Sequence, residues 1–394
     1  MDLKDHIFHV CSLEEFYENY FEKKALFIPS TSGIRSTKLF DFDDLDNILS
    51  SRKLVYPSLK IFKNGVELPK SVFEKIDESN GMSYADIPKS FILFDKGHSL
   101  ILNRIDRLDS KLNSLSRALE SDLQMEAQVN LYLTPPNNFG FDIHYDTHDV
   151  FILQLEGTKD WTLYDSEIPL VTDQLQIKKR AQESFVEESN YLLTPGDVLY
   201  LPRGKYHRAE STSETSMHLT IGIFPLIGYQ LLHQLAVKCQ DDVFFRKSVP
   251  MESASENEKQ DYYQLFVEKL NHLFKPNLIE HAANHERKKQ LKQQDLNFKG
   301  VFLNQLKVNS LNEHSLIRMR PGVNAEIRES KRILKICMPQ QIIDLPIFVA
   351  PLIKQILSKK EISVSSIQDV GIAEQKIQLL KRLITQGLIE IVAP

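Results

Sequence analysis

The spacing of apolar positions changes twice along the chain, and each change marks a boundary. Ser12 followed by Glu15 has the form of a helix N-terminus, and Phe16, Tyr20 and Phe21 then recur near helical spacing before 25–29 reads as a strand. From about residue 125 to 224 the period falls to two, in short runs separated by Pro, Gly, Asn and Asp. That pattern predicts a barrel or sandwich. Its strands are expected over 128–133, 141–146, 150–155, 160–164, 197–201 and 217–224. After Pro225 helical spacing returns, with Leu231, Leu235 and Cys239 on one face. The polar stretch 250–261 reads as a flexible connector, followed by a second helix carrying Phe266, Leu270, Leu273 and Phe274. Toward the C-terminus the pattern predicts a helix around Val349, Leu352, Ile353 and Ile356, a short segment 361–367 and a helix over 373–386. Gly387 stops that helix before a strand at 388–392. This order suggests a winged-helix-like module.

Composition narrows the function classes. A chain of 394 residues exceeds what one core usually organises, so two or three domains are expected. The pattern divides it into 1–225, 226–299 and 300–394. An apolar fraction of 42% with 26% charged residues is that of an ordinary globular protein. No run approaches the ~18 apolar residues of a membrane span. The first residues lack the basic start and apolar stretch of a signal peptide, so a cytoplasmic location is expected. Cys11, Cys239 and Cys337 are too scattered for a disulfide framework or a zinc site and read as structural thiols. A net charge of −5 gives no global footprint for nucleic acid, and no direct binding to it is expected. The basic run 286–292 reads as a solvated helix face.

The candidate chemistry lies in the period-two stretch. If 141–146 is a strand, His144 and Asp146 share one face. A third ligand would complete the two-His-one-carboxylate triad of non-haem iron oxygenases. Three histidines compete for that position. His148 lies four residues beyond His144, about 13 Å along an extended strand, which strains convergence on one ion. His207 follows a turn at Pro195-Gly196, a strand, and the tight segment Pro202-Arg203-Gly204-Lys205, a path that can return a distant ligand to the barrel mouth. His218 shares a strand face with Thr220 and Gly222 and ranks second.

The runs HYDTHDVFILQLEGTKDWTLYD, PGDVLYLPRGKYHRA and SMHLTIGI together resemble the ribosomal oxygenases, a subgroup of JmjC-type oxygenases. The resemblance covers about residues 125–225 strongly and the flanking regions in layout only; the sequence Thr147-His148-Asp149 stands where such proteins vary. It implies an α+β fold: a JmjC/cupin double-stranded β-helix, a helical dimerisation region and a C-terminal winged-helix-like domain. It implies Fe(II) held by His144, Asp146 and His207, with 2-oxoglutarate and O2 as co-substrates.

Lys159 has the strand parity of Trp161 and Leu163, so it points inward if they do, and a buried ammonium needs an anion. The resemblance gives this lysine the distal carboxylate of 2-oxoglutarate. Asn130 and Tyr132 share a strand face as further carboxylate donors, and Thr220 is a comparable candidate. Tyr145, His148, Arg203 and Tyr206 are candidate substrate contacts at the mouth. The implied activity is hydroxylation of a protein side chain, with His or Arg of a ribosomal protein favoured; a tailoring hydroxylase of another ribosomally made peptide would use the same centre. Because the PRGKYH context and the C-terminal module look like those of the ribosomal oxygenases, the resemblance makes a lysine demethylase the less favoured reading. Two further alternatives are a cupin-like ligand-sensing DNA-binding regulator and a metal-binding cupin with isomerase chemistry. The regulator draws little support from a final helix that carries Glu374 beside Lys376, Lys381 and Arg382, and the isomerase has no use for Lys159. A homodimer through the helical middle, anchored by Phe266, Leu270, Leu273 and Phe274, is expected.

Overall fold

The computed structural model describes residues 11–30, 39–165, 169–175, 185–292, 300–321, 323, 325–338, 341–367 and 373–393. Helix α1 (Leu13–Asn19) starts where the cap predicts: Ser12 Oγ accepts from the Glu15 N–H at 3.1 Å, and Phe16 is fully buried. The segment up to the barrel adds β1 (Leu26–Ile28), α2 (Phe42–Ser51), β2 (Leu59–Lys63), β3 (Val66–Glu67) and a hairpin of β4 (Glu74–Ile76) and β5 (Ser83–Ala85). Helix α3 (Ile87–Asp95), β6 (Ser99–Leu102) and α4 (Ser110–Leu123) complete it. The barrel region supplies β7 (Glu126–Thr134), β8 (Asp149–Glu156), β9 (Lys159–Tyr164), β10 (Glu187–Leu193), β11 (Val198–Leu201), β12 (His207–Ser211) and β13 (Ser216–Phe224). An eight-stranded sheet in the order β1-β11-β8-β13-β7-β6-β2-β3 stands against a three-stranded sheet β10-β9-β12.

Alternation assigns the two faces of the large sheet to different work. Val129, Leu131, Phe151, Leu153, Leu219 and Ile221 point away from the small sheet into the main core, which Phe16, Leu45 and Leu115 of the helices close. Their neighbours of opposite parity face the small sheet. Val150 and Ile152 pack there against Trp161 and Leu163, while Tyr132, His218 and Thr220 remain as polar groups around a cavity. Because β8 is covered on both faces, all but its last residue are buried.

One predicted strand is absent. Residues 141–146 form no strand; only His144 pairs, in a single antiparallel bridge with His207, and Phe139 pairs with Glu210. Five steps from Phe139 to His144 lie opposite three from His207 to Glu210, so the extra residues bulge out of the ladder. His144 and Asp146 are therefore not brought together by strand parity.

The middle of the chain contains α5 (Gly228–Lys238), α6 (Glu256–Leu273) and α7 (Pro276–Lys292). The connector expected over 250–261 is shorter than that: Ser255 and Glu258 form a reciprocal capping box, and α6 begins inside the polar stretch. Among the described residues of α6 none is buried, and of α7 only Ala282 is. Phe266 is half-buried against Phe244 and Phe245, Leu270 is half-buried, Phe274 is exposed, and the side chain of Leu273 lies outside the described residues.

The C-terminal part has its own core around Ile317, Ile336, Leu352, Ile353, Leu380 and Leu383. It comprises α8 (Val301–Lys307), β14 (Leu316–Met319), β15 (Glu326–Glu329), β16 (Ile333–Met338), β17 (Gln341–Pro346), α9 (Ala350–Ser358), β18 (Ile362–Ser363), α10 (Ala373–Thr385) and β19 (Ile389–Ala393). The two helices and final strand read from the sequence are present. The meander β15-β16-β17 and strand β14 are additions the pattern did not predict.

Candidate metal centre and co-substrate pocket

His144 and His207 are fixed to one another by their backbones: each N–H donates to the other's carbonyl, at 3.1 and 2.8 Å. Asp146 is held next to them by the Gly204 N–H, which donates to its carbonyl at 2.9 Å. Both imidazoles use the same orienting device. His144 Nδ1 lies 2.8 Å from the Asp142 carbonyl and His207 Nδ1 3.0 Å from the Lys205 carbonyl, each two residues upstream. A carbonyl can only accept, so Nδ1 carries the proton and Nε2 keeps its lone pair for a metal. The rings stand 4.4 Å apart, and His207 Nε2 is 3.9 Å from Asp146 Oδ2. One ligand atom from each of the three residues lies within 4.8 Å of the other two. Burial, reinforced by His144 and opposed by Asp146, lowers the His207 pKa to about 4. The ring is thus neutral near pH 7, the form that ligates.

The three groups open into a cavity of about 490 Å3 including its mouth, between the two sheets. Lys159 lines it, only 3% exposed, with its ammonium donating to Thr134 Oγ1 at 2.9 Å. Burial lowers its pKa from 10.5 to about 7. Tyr132 stacks on His218 at 4.9 Å with the rings 7° from parallel, and Trp161 meets His218 edge-on at 5.4 Å. Burial first, and Lys159 second, hold the His218 pKa well below its usual value. Burial likewise pushes the Tyr132 phenol up. Both rings therefore enter the cavity uncharged.

Of the positions read from sequence, His144, Asp146, His207, Lys159, Tyr132, Thr220 and His218 all line this cavity. Asn130 does not; its Oδ1 accepts the Arg104 N–H at 3.0 Å, a backbone group in the left-handed region at φ 54°. Thr134 was missed, although it continues the parity of Asn130 and Tyr132. His148 is outside the cavity, stacked on Phe224 at 4.6 Å. Arg203 is 7% exposed, engaged by two carboxylates, and lines a second cleft rather than this cavity. Tyr145 and Tyr206 meet edge-to-face at 5.0 Å. The second cleft, of about 630 Å3 including its mouth, runs beside the centre between Thr147, His148, Asp173, Phe224 and Tyr229.

Residues 102–231 match the JmjC domain family. The chain is 31% identical over 253 residues to the bifunctional lysine-specific demethylase and histidyl-hydroxylase NO66 of Dictyostelium discoideum, covering 60% of this chain and 47% of that protein. It is 28% identical over 248 residues to human ribosomal oxygenase 1, covering 60% of this chain and 37% of that one. The JmjC match and these two likenesses fall on the same part of the chain, which is thus similar to JmjC proteins named for histidyl hydroxylation and for ribosomal oxygenation. The chain spans less than half the length of these two relatives. Beyond the JmjC domain, the whole fold is similar to that of Escherichia coli YcfD, a ribosomal oxygenase solved with cobalt and succinic acid and also with cobalt and 2-oxoglutarate. Both structures superpose with a TM-score of 0.55 over 96% of this chain and 98% of theirs, at 14% and 13% identity. At that identity the likeness establishes the fold alone. No helix among the described residues is long and apolar enough to cross a membrane.

Proposed function

We propose that this JmjC protein is an Fe(II)- and 2-oxoglutarate-dependent hydroxylase of a protein side chain. The observation that carries the reading is one cavity holding both a two-His-one-carboxylate cluster and a buried lysine that donates to a neutral hydroxyl. The cluster suits a first-row metal that keeps coordination sites open. The lysine suits a dicarboxylate reaching past that metal. Iron and 2-oxoglutarate, when bound, would supply hydroxylation of an unactivated C–H bond by O2, one oxygen atom going to the substrate and the other to succinate as 2-oxoglutarate loses CO2.

His144, Asp146 and His207 hold the metal in this reading, with both Nδ1–H groups committed to the backbone. Lys159 and Thr134 bind the distal carboxylate, with Tyr132 and Thr220 as further donors. The apolar lining of Val150, Ile152 and Trp161 excludes water. The substrate is a polypeptide that approaches along the cleft between Thr147, Phe224 and Tyr229, and a ribosomal protein is favoured because relatives carry the name ribosomal oxygenase. Histidine or arginine is the favoured target. A second copy of the chain covers α6 and α7, whose described residues bury almost nothing within one chain.

Two measurements test this. Purified protein given Fe(II), 2-oxoglutarate and a ribosomal protein fraction should form succinate, and its absence under anaerobic controls should track oxygen. Mass spectrometry of ribosomal proteins from deletion and wild-type cells should show peptides differing by one oxygen. Differences in methylation with no added oxygen would instead assign a demethylase.

A further inference from the structure

Two carboxylates and a phenol close a ring of hydrogen bonds around Arg203, next to the proposed metal centre but outside its cavity. Arg203 Nη1 donates to Asp149 Oδ2 at 2.7 Å and Nη2 pairs with Glu22 Oε1 at 2.6 Å. The Tyr200 hydroxyl donates to Asp149 Oδ1 at 2.7 Å and accepts the Glu22 N–H at 2.9 Å. Asp149 and Tyr200 are fully buried. Glu22 sits in the left-handed region at φ 59°, a backbone conformation that persists only where neighbours hold it.

The placement of these residues gives the ring its meaning. Asp149 opens β8 three residues after Asp146, and Arg203 stands four residues before His207. Both ligand-bearing segments are thus tied at their roots to one guanidinium. Gly204, the residue after Arg203, donates its N–H to the Asp146 carbonyl. Glu22, just after α1, joins the same guanidinium from the N-terminal segment. A planar fork is required here, because a lysine ammonium could not span two carboxylates at fixed angles.

We infer that Arg203 is a positioning residue that sets the separation of Asp146 from His207, and that Glu22 makes the N-terminal segment a working part of the metal centre. The inference rests on the metal assignment proposed above. Arg203 also lines the second cleft, so the positioning role is read without substrate: metal affinity and ligand-field geometry should change when the ring is opened, before the fold is lost.

The experiment uses Co(II), whose visible absorption reports coordination geometry, with the full-length protein and no substrate. Wild type, Arg203→Lys, Arg203→Met, Glu22→Gln and His207→Ala are titrated with Co(II), and the far-ultraviolet circular dichroism of each is recorded. Opening the ring is expected to weaken Co(II) binding by about 10- to 100-fold in Arg203→Met, the usual effect of removing a group that orients a ligand. The absorption band should shift, Arg203→Lys should restore only part of the affinity, and Glu22→Gln should weaken binding several-fold. Glu22 is 30% exposed, so its variant decides the matter if the Arg203 variants fail to fold. Folded variants with wild-type Co(II) affinity and an unshifted band would overturn the inference. Failure of the wild type to bind Co(II), or equal binding by His207→Ala, would instead refute the metal assignment itself.

Discussion

Replacing Lys159 by methionine should strengthen the ligand-free fold and weaken co-substrate binding at the same time. The side chain is 3% exposed, it donates to the Thr134 hydroxyl, and burial holds its pKa at about 7 instead of 10.5. At about 1.4 kcal/mol per pH unit, keeping the charged form there costs on the order of 5 kcal/mol. The unfolded chain protonates this lysine below pH 10.5 and the folded, ligand-free protein only below about 7. The penalty is therefore absent at very high pH, grows as pH falls, and is complete below about pH 7. Methionine removes it at nearly the same volume, so the variant should melt several degrees higher at pH 6 and gain less at pH 9. A bound dicarboxylate reverses the sign by restoring the ammonium. Wild-type binding of 2-oxoglutarate should then take up a proton near pH 8, and its affinity should fall by up to about tenfold per unit as pH rises above 7. The variant loses one charge-assisted hydrogen bond, about 1.5–3 kcal/mol, or roughly 10- to 150-fold in Kd. Titration calorimetry of the Mn(II)-loaded protein in two buffers of different ionisation enthalpy reads both quantities. A variant that binds 2-oxoglutarate as wild type does, with an equal melting shift at pH 6 and 9, would refute the reasoning.

His207→Ala should abolish turnover and metal binding, whereas His148→Ala should leave metal affinity unchanged because that ring stacks on Phe224; equilibrium dialysis with Mn(II) distinguishes the two. Gly222→Ala would place a Cβ 2.6 Å from His148 Cδ2, so the ring must leave its stack, at a stability loss of about 1–3 kcal/mol measured by urea unfolding with metal binding retained. Light scattering should find a dimer at micromolar concentration, and the double change Leu270→Asp, Phe274→Asp should convert it to a folded monomer. A strictly monomeric wild type would end that proposal.

The strands that carry the site were legible where they are covered on both sides or alternate cleanly: β7, β8 and β13 lie within a residue or two of their predicted positions. Strands β10 and β12 were not. Their sequences, EESNYLL and HRAES, hold few apolar residues, and they exist by pairing on either side of β9. The segment 141–146 misled in the opposite direction. It alternates as a strand should, yet the bulge between Phe139 and His144 releases it from the ladder, and Asp146 is placed by the Gly204 N–H. Asn130 had the right parity and the wrong partner, since the Arg104 N–H that engages its amide comes from a loop 26 residues away. The start of α6 could have been read from Ser255 and Glu258 had the capping box been weighed above the polarity of the stretch. For Arg203, no local signal announces that two carboxylates distant from it in sequence will converge on it.

The division of faces in β13 has a consequence for how this protein can vary. Met217, Leu219, Ile221 and Ile223 face the main core, and Ser216, His218, Thr220 and Gly222 alternate with them. Inserting a single residue near Ser216 would exchange the two rows along the length of the strand, driving an imidazole and a hydroxyl into the hydrocarbon interior and a methionine and a leucine into the cavity. The lining of the cavity and the cohesion of the fold are thus written on one ladder in alternate letters. The lineage of such a strand can accept substitutions position by position, but a change of reading frame within it would cost both at once. Insertions and deletions between relatives should therefore collect in segments such as that from Thr212 to Thr215, and should be absent from β13 itself.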